Sequence, residues 1–237
     1  MFIAILDATT GAVRRERQLG PIIPFSLSWT PDGAWLLFSS GPGIFKMSSD
    51  LNIVFQLTSG QFHGWPSYSR SRDLVFFTQN EATKGGLFSV TIDGDSLLRW
   101  STAESIILQA FAFPDSSDSL IGFDPTSGSA RLMVFRPDSI SHAYFLGIYS
   151  LGPFARISRD HRYIAYNAGV HVPSGNLMIL DRSTDSIHSL DVSATEGMDF
   201  SPDGGKLVYP ILAGKEVGLW IFDLATGEHT RLTDGTR

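Results

Sequence analysis

Five stretches of the chain can be laid over one another: LSWTPDGAWLLF from Leu27, PSYSRSRDLVFF from Pro66, QAFAFPDSSDSLIGF from Gln109, ARISRDHRYIAY from Ala155 and MDFSPDGGKLVY from Met198. The turn-proline position is held by Pro31, Arg70, Pro114, Arg159 and Pro202, at successive spacings of 39, 44, 45 and 43. Each stretch is followed by a second landmark: GIFKMSSDLNIVFQLTSG, GGLFSVTIDGDSLLRWST, ARLMVFRPDSISHAYFLG, GNLMILDRSTDSIHSLDV and VGLWIFDLATGEHTRLTDG. A period of this length confines the chain to architectures that stack one supersecondary unit many times.

Within a copy, a brief run ends at a turn and an apolar run such as KLVY follows. A variable loop leads to a third run such as GLWIFDL, and a tight turn (ATG, DGD or STD) to a fourth. Runs rich in β-branched and aromatic residues, broken by turn chemistry every few residues, predict an all-β chain. Helical periodicity is interrupted throughout by Gly, Pro, Asp and Ser. Four short strands in each 40-residue unit are the arithmetic of a β-propeller blade.

SPDGGKLVY and GLWIFDLATGEHTRLTDG resemble the WD40-like repeat of TolB-type propellers, in which a Pro-Asp-Gly turn and a terminal Leu-Thr recur in each blade. Pro31-Asp32-Gly33 and Pro202-Asp203-Gly204 keep the turn; Leu57-Thr58 and Leu232-Thr233 keep the ending. The second and fourth copies have SRSRD and SRDHR instead, and the third has PDSSD without the glycine. The resemblance covers nearly the whole chain and implies a scaffold that engages envelope proteins. In multidomain bacterial proteins such repeats act as a sensor or interaction module. Oligogalacturonate lyases, which use a metal near the channel, and the gating propellers of prolyl-oligopeptidase-like peptidases resemble the same repeat class.

Before the first copy, FIAILDATTGAVRRERQLG matches the second half of a repeat. Residues 1–20 therefore read as a half blade, and 21–60, 61–104, 105–150, 151–194 and 195–237 as blades of a single propeller domain. The expectation is a six-bladed ring, part of a longer protein, whose closing blade lacks its two inner strands. A five-bladed ring with the hairpin as an accessory is the alternative.

With 18 Lys+Arg against 24 Asp+Glu the net charge is −6, and RRER at Arg14–Arg17 is the densest basic patch. Nothing here offers the electrostatic footprint of a nucleic-acid partner. No apolar run approaches the length of a membrane span, which argues against direct membrane insertion. The absence of cysteine excludes disulfides and a thiol nucleophile. The start lacks a basic n-region, so a cytoplasmic location is expected if Met1 is the true start, and a periplasmic one if an upstream signal or anchor precedes it.

No Gly-x-Ser-x-Gly elbow, phosphate loop or sialidase-type Asp box is present. The six histidines have no metal spacing, so neither metal nor cofactor is assigned; the arrangement weighed is His63 and His171 converging with Asp124. In a four-stranded meander the Pro-Asp-Gly and ATG turns share one face of the disc. The variable loops, among them TQNEATKGG, DPTSGSA, NAGVHVPSGN and PILAGKEVG, share the other. Variable loops on a rigid scaffold are where binding residues concentrate. The candidate contacts are His63, Trp65, Asn80, Glu81, Lys84, Asp124, Asn167, His171, Lys215 and Glu216, each of which also reads as a solvated loop residue. Trp65, before a proline, is the tryptophan singled out for stacking on a ligand. The reading is a non-enzymatic scaffold for a protein or peptide, with the propeller domain of a peptidase or of a metal-dependent polysaccharide lyase as the alternative.

Overall fold

The computed structural model describes residues 1–60, 63–79, 86–101, 108–112, 120–124, 130–137, 144–149, 155–168, 176–193, 197–212, 214 and 216–234. They form five four-stranded antiparallel sheets, the blades of a β-propeller, and one two-stranded sheet. The hairpin is β1 (Phe2–Leu6) with β2 (Val13–Gln18). The first blade is β3 (Phe25–Trp29), β4 (Trp35–Ser40), β5 (Gly43–Ser48) and β6 (Val54–Gln56). The second is β7 (His63–Ser69), β8 (Leu74–Gln79), β9 (Gly86–Thr91) and β10 (Leu98–Arg99). The third is β11 (Leu108–Ala112), β12 (Leu120–Asp124), β13 (Ala130–Phe135) and β14 (Tyr144–Tyr149). The fourth is β15 (Ala155–Ile157), β16 (Tyr163–Ala168), β17 (Asn176–Asp181) and β18 (Ser186–Ser193), and the fifth is β19 (Asp199–Phe200), β20 (Lys206–Ile211), β21 (Gly218–Asp223) and β22 (His229–Arg231). Every blade is a meander with its strands in sequence order.

By contacts the chain falls into two compact units, Met1–Leu6 with Val13–Ile148 and Asp7–Ala12 with Tyr149–Arg237. In the first unit, β4 reads WLLFSS and is buried from Leu36 onward on both faces. Its alternation divides the burial. Leu36 and Phe38 pack with Phe45, Met47 and Leu51 against Ile3 and Leu19 of the hairpin. Leu37 turns the other way, with Ile44 and Leu57, onto Val75, Phe77 and Val90 of the second blade. Phe76 and Leu87 then meet Ala112 and Leu120 of the third. A strand sandwiched between two blades needs apolar residues at successive positions, which explains its unbroken run. Arg15 and Arg17 of the exposed β2 donate to the carbonyls of Ser49 and Leu51, tying the hairpin to the first blade.

In the second unit, β15 and β19 are neighbours, and Arg162 forks onto Asp181 at 2.8 Å across β16 and β17. The Asp7 carboxylate accepts the N–H groups of Thr9 and Thr10, as Asp223 accepts those of Ala225 and Thr226. LDATTG and FDLATG are therefore the same turn, as their sequence match anticipates.

The terminal Leu-Thr has a mechanical role. Thr58 Oγ1 accepts the N–H of Ile44 at 3.0 Å, Ser101 Oγ that of Leu87 at 2.8 Å, and Thr233 Oγ1 that of Leu219 at 2.9 Å. The end of the fourth strand thus holds the start of the third. A Cβ on Gly43 would sit 1.9 Å from the Thr58 carbonyl oxygen, so the clamp closes only over a glycine.

Candidate binding surface

The Ser-Asp pairs of the turns are satisfied internally. Ser201 Oγ donates to Asp203 Oδ1 at 2.5 Å, Asp203 accepts the Gly205 N–H at 3.0 Å, and Ser201 Oγ accepts the Lys206 N–H at 2.9 Å. Gly204 supplies the left-handed residue, with φ 74°. Thr30 and Asp32, and Ser158 and Asp160, make the same ring. The fourth copy therefore keeps the turn without Pro-Asp-Gly: the Ser-x-Asp pair remains, and His161 takes the positive φ at 61°. The ring recurs between β5 and β6, where Ser48 and Asp50 are paired and Leu51 has φ 64°. These hydroxyl and amide donors hold the carboxyls of Asp32, Asp160 and Asp203 below their usual value, and that of Asp50 at about 2. Carboxylates committed in this way to backbone N–H groups are building elements of the fold.

At the opposite ends of the strands the candidates part company. His63 opens β7 and is buried; its Nδ1 lies 2.9 Å from Thr58 Oγ1 and its ring 5.0 Å from that of Phe77. Burial lowers its pKa below the usual histidine value. Asn167, in β16, is buried, and its Oδ1 has no partner among the described residues. Glu216 is exposed, and its carbonyl accepts the Trp220 indole N–H at 2.9 Å. Asp124 closes β12. Asn80, Glu81, Lys84, His171 and Lys215 lie outside the described residues, and with them the His63–His171–Asp124 grouping. Among the described residues no three His, Cys, Asp or Glu side chains are grouped to hold a metal ion, and no helix is long and apolar enough to cross a membrane.

Trp65 stands apart. Its register places Gly64 opposite Thr78 and Ser67 opposite Phe76, so Trp65 and Pro66 together oppose Phe77 in a bulge. Trp65 has φ 53° although a proline follows, a position that favours extended geometry. Strain of this kind costs on the order of 1–3 kcal/mol. The half-buried side chain has its indole N–H shielded from solvent with no acceptor among the described residues, and Thr78 Oγ1 is likewise buried without a partner among them. The bulge itself repeats: in β3 it falls at Ser26, φ 53°, and a register shift at the same place marks β11. What is particular to the second blade is a tryptophan on it.

Two features escaped the sequence reading. The bulge leaves no residue signature, because Ser26 and Trp65 share nothing but position. The pairing of Tyr209 with His229, hydroxyl to Nδ1 at 2.6 Å, links β20 to β22 across β21, and burial raises the Tyr209 pKa to about 12.

The fold and these sites define a β-propeller with a bulged inner strand at each of its first three blades. No family model matches the chain, and no curated protein matches it. Solved structures do. TolB from Acinetobacter baumannii superposes with a TM-score of 0.76 at 21% identity, over 93% of this chain and 57% of that one. The chain thus spans a little over half the length of that TolB. A chain of the nidogen/laminin complex gives 0.73 at 12% identity, over 96% of this chain and 87% of that one. Oligogalacturonate lyase in complex with manganese gives 0.62 at 13%, over 99% and 84%. The fold is that of TolB-type β-propellers and is shared by proteins of different function.

Proposed function

We propose that this chain is a non-enzymatic propeller scaffold that binds a protein or peptide, with Trp65 as an anchor. The observation that carries the reading is the indole N–H of Trp65 on a strained bulge, shielded from solvent and without an acceptor among the described residues. A buried donor without an acceptor costs about 1–3 kcal/mol, and a ligand carbonyl that reaches it recovers that free energy. Tryptophan on a rigid strand is also an efficient interface anchor, since it covers much area with little loss of rotamer freedom. A peptide backbone supplies both the carbonyl and the apolar side chains that such a position selects. The commitment of the turn Ser-Asp pairs to backbone hydrogen bonds supports a role without catalysis, and the nidogen/laminin and TolB likenesses fit a protein partner.

The test is selection of phage-displayed random peptides of about twelve residues on the immobilised chain, followed by titration of the winners. Trp65→Phe keeps an aromatic ring but removes the N–H together with the five-membered ring, and should weaken binding at least tenfold. Trp65→Ala should abolish binding while the far-ultraviolet circular dichroism stays that of the folded chain. Peptides that bind Trp65→Phe and Trp65→Ala as they bind the wild type would refute the assignment.

A further inference from the structure

The third strand of each blade (β5, β9, β13, β17 and β21) has a partner on both edges. Strand β1 is their counterpart in the hairpin, since Asp7 and Asp223 build the same turn. Yet β1 has β2 on one edge and, among the described residues, nothing on the other. Leu19 N–H donates to Met1 O at 3.1 Å, making that pair a hydrogen-bonded one. Antiparallel pairing alternates, so Ile3 and Ile5 bond to β2, and Phe2 and Ala4 present their N–H and C=O groups to the open edge. In the fifth blade Leu224 N–H donates to Gly205 O at 3.0 Å, which by the same alternation turns Trp220 and Phe222 toward β20. These are the residues that correspond to Ala4 and Leu6. The open edge of β1 therefore has the polarity of an edge that receives a second strand.

A bare apolar face accompanies it. Phe25, Leu27 and Trp29 of β3 are 41%, 41% and 42% exposed, and Phe2 is 60% exposed. In the next blade β7 packs on β3, β4 and β5, the first, second and third strands of the blade before it. Strand β3 by the same rule requires the first three strands of a preceding blade. The hairpin supplies the third and fourth, packing Ile3 and Leu19 on Leu36 and Phe38, and that interface runs on into the uncovered stripe.

We propose that the open edge of β1 and the Phe25–Leu27–Trp29 stripe form a docking site for a β-hairpin with the pattern of this chain's own inner strands: a Pro-Asp-Gly turn between two short runs with alternating apolar residues. This site is separate from Trp65 and does not rest on the preceding reading. Main-chain bonds to Phe2 and Ala4 give affinity, and the stripe selects apolar side chains at every second position. A second copy of the chain fits poorly, because adding its β1 to this edge would bring its β2, VRRERQ, toward the apolar stripe.

The probe is the synthetic peptide MDFSPDGGKLVYPIL, the sequence of Met198–Leu212, titrated into the 237-residue chain. Saturable binding with a blue shift of tryptophan emission is expected, and Trp29→Phe should remove the shift. Ala4→Pro deletes a donor on the open edge and leaves the β1–β2 ladder intact, so it should weaken binding at least tenfold. Leu27→Asp, on the exposed face, should do the same without loss of folded signal. The proposal is overturned if no saturable binding is seen, if a scrambled peptide binds equally, or if either variant binds as the wild type does. A dimer in sedimentation that Ala4→Pro abolishes would assign the edge to a second copy and overturn it also.

Discussion

Strands β3 and β7 hold the same place in successive blades and carry the same bulge, at Ser26 and at Trp65. Their surroundings differ. In β7 every residue is buried or half-buried, because the first blade covers one face while Ala112 N–H bonds to Ser67 Oγ on the third-blade side at 2.9 Å. In β3 the burial alternates, with Ser26 and Ser28 turned inward and Phe25, Leu27 and Trp29 outward. Ser28 donates to Pro66 O at 2.6 Å, so its inward face engages the second blade. The outward face of β3 is the more apolar of its two, and it is the bare one. Burial in this repeat is thus set by the neighbouring blade more than by a strand's own hydrophobicity.

The largest break in the comparison is a truncation inside the covered region. Phe77 is fully buried, within reach of the rings of His63 and Phe88, in the cluster shared by the first two blades. Phe77→Ala should cost about 3–5 kcal/mol in urea unfolding, as large-to-small core changes do. Phe25→Ala removes the same ring from the bare face and should fall within about 0.5 kcal/mol of wild type. Similar costs at the two positions would mean that β3 is covered after all. Next in size is Ser67→Ala, which leaves the buried N–H of Ala112 without its acceptor. A loss of about 1–3 kcal/mol is expected from the same unfolding curves.

The comparison also shows what could be read in advance. The blades, the Pro-Asp-Gly turns and the Leu-Thr endings were legible because each is fixed by local chemistry that repeats: an Asp carboxylate over two backbone groups, a Thr hydroxyl on a strand start. The lapsed turns were less so. At Arg159-Asp160-His161 the sequence departs from the signature, but the ring of Ser158 and Asp160 survives, since it needs the hydroxyl and carboxylate at i and i+2 and only a tolerable positive φ after them. The role of His63 was not legible. As a loop residue it suggested a ligand contact, whereas the fold seats it between Thr58 and Phe77, residues 5 and 14 positions away. Which strand faces would be covered was also beyond reach, because that depends on blades meeting across about 40 residues of chain.

The smallest expected effect separates the turns that follow the two strands. After β3, Asp32 accepts bonds from the Thr30 hydroxyl and the Ala34 N–H, and these, with a weaker attraction to Arg70, hold its carboxyl below the usual value. After β7 the corresponding position is Ser71, whose hydroxyl meets that of Ser69 at 3.1 Å. Asp32 ionises more readily in the folded chain than in the unfolded one. Its contribution is therefore fully present above the unfolded value of about 4 and is lost as pH falls through the lower folded value. Ser71 does not titrate in this range. Asp32→Asn should lower the Tm at pH 7 and lower it less at pH 3, where the wild-type carboxylate is already giving up its advantage. Ser71→Ala should lower it by the same amount at both. Calorimetry of the two variants and the wild type at the two pH values reads the difference directly. An Asp32→Asn loss as large at pH 3 as at pH 7 would mean that the turn draws nothing from the charge of the carboxylate.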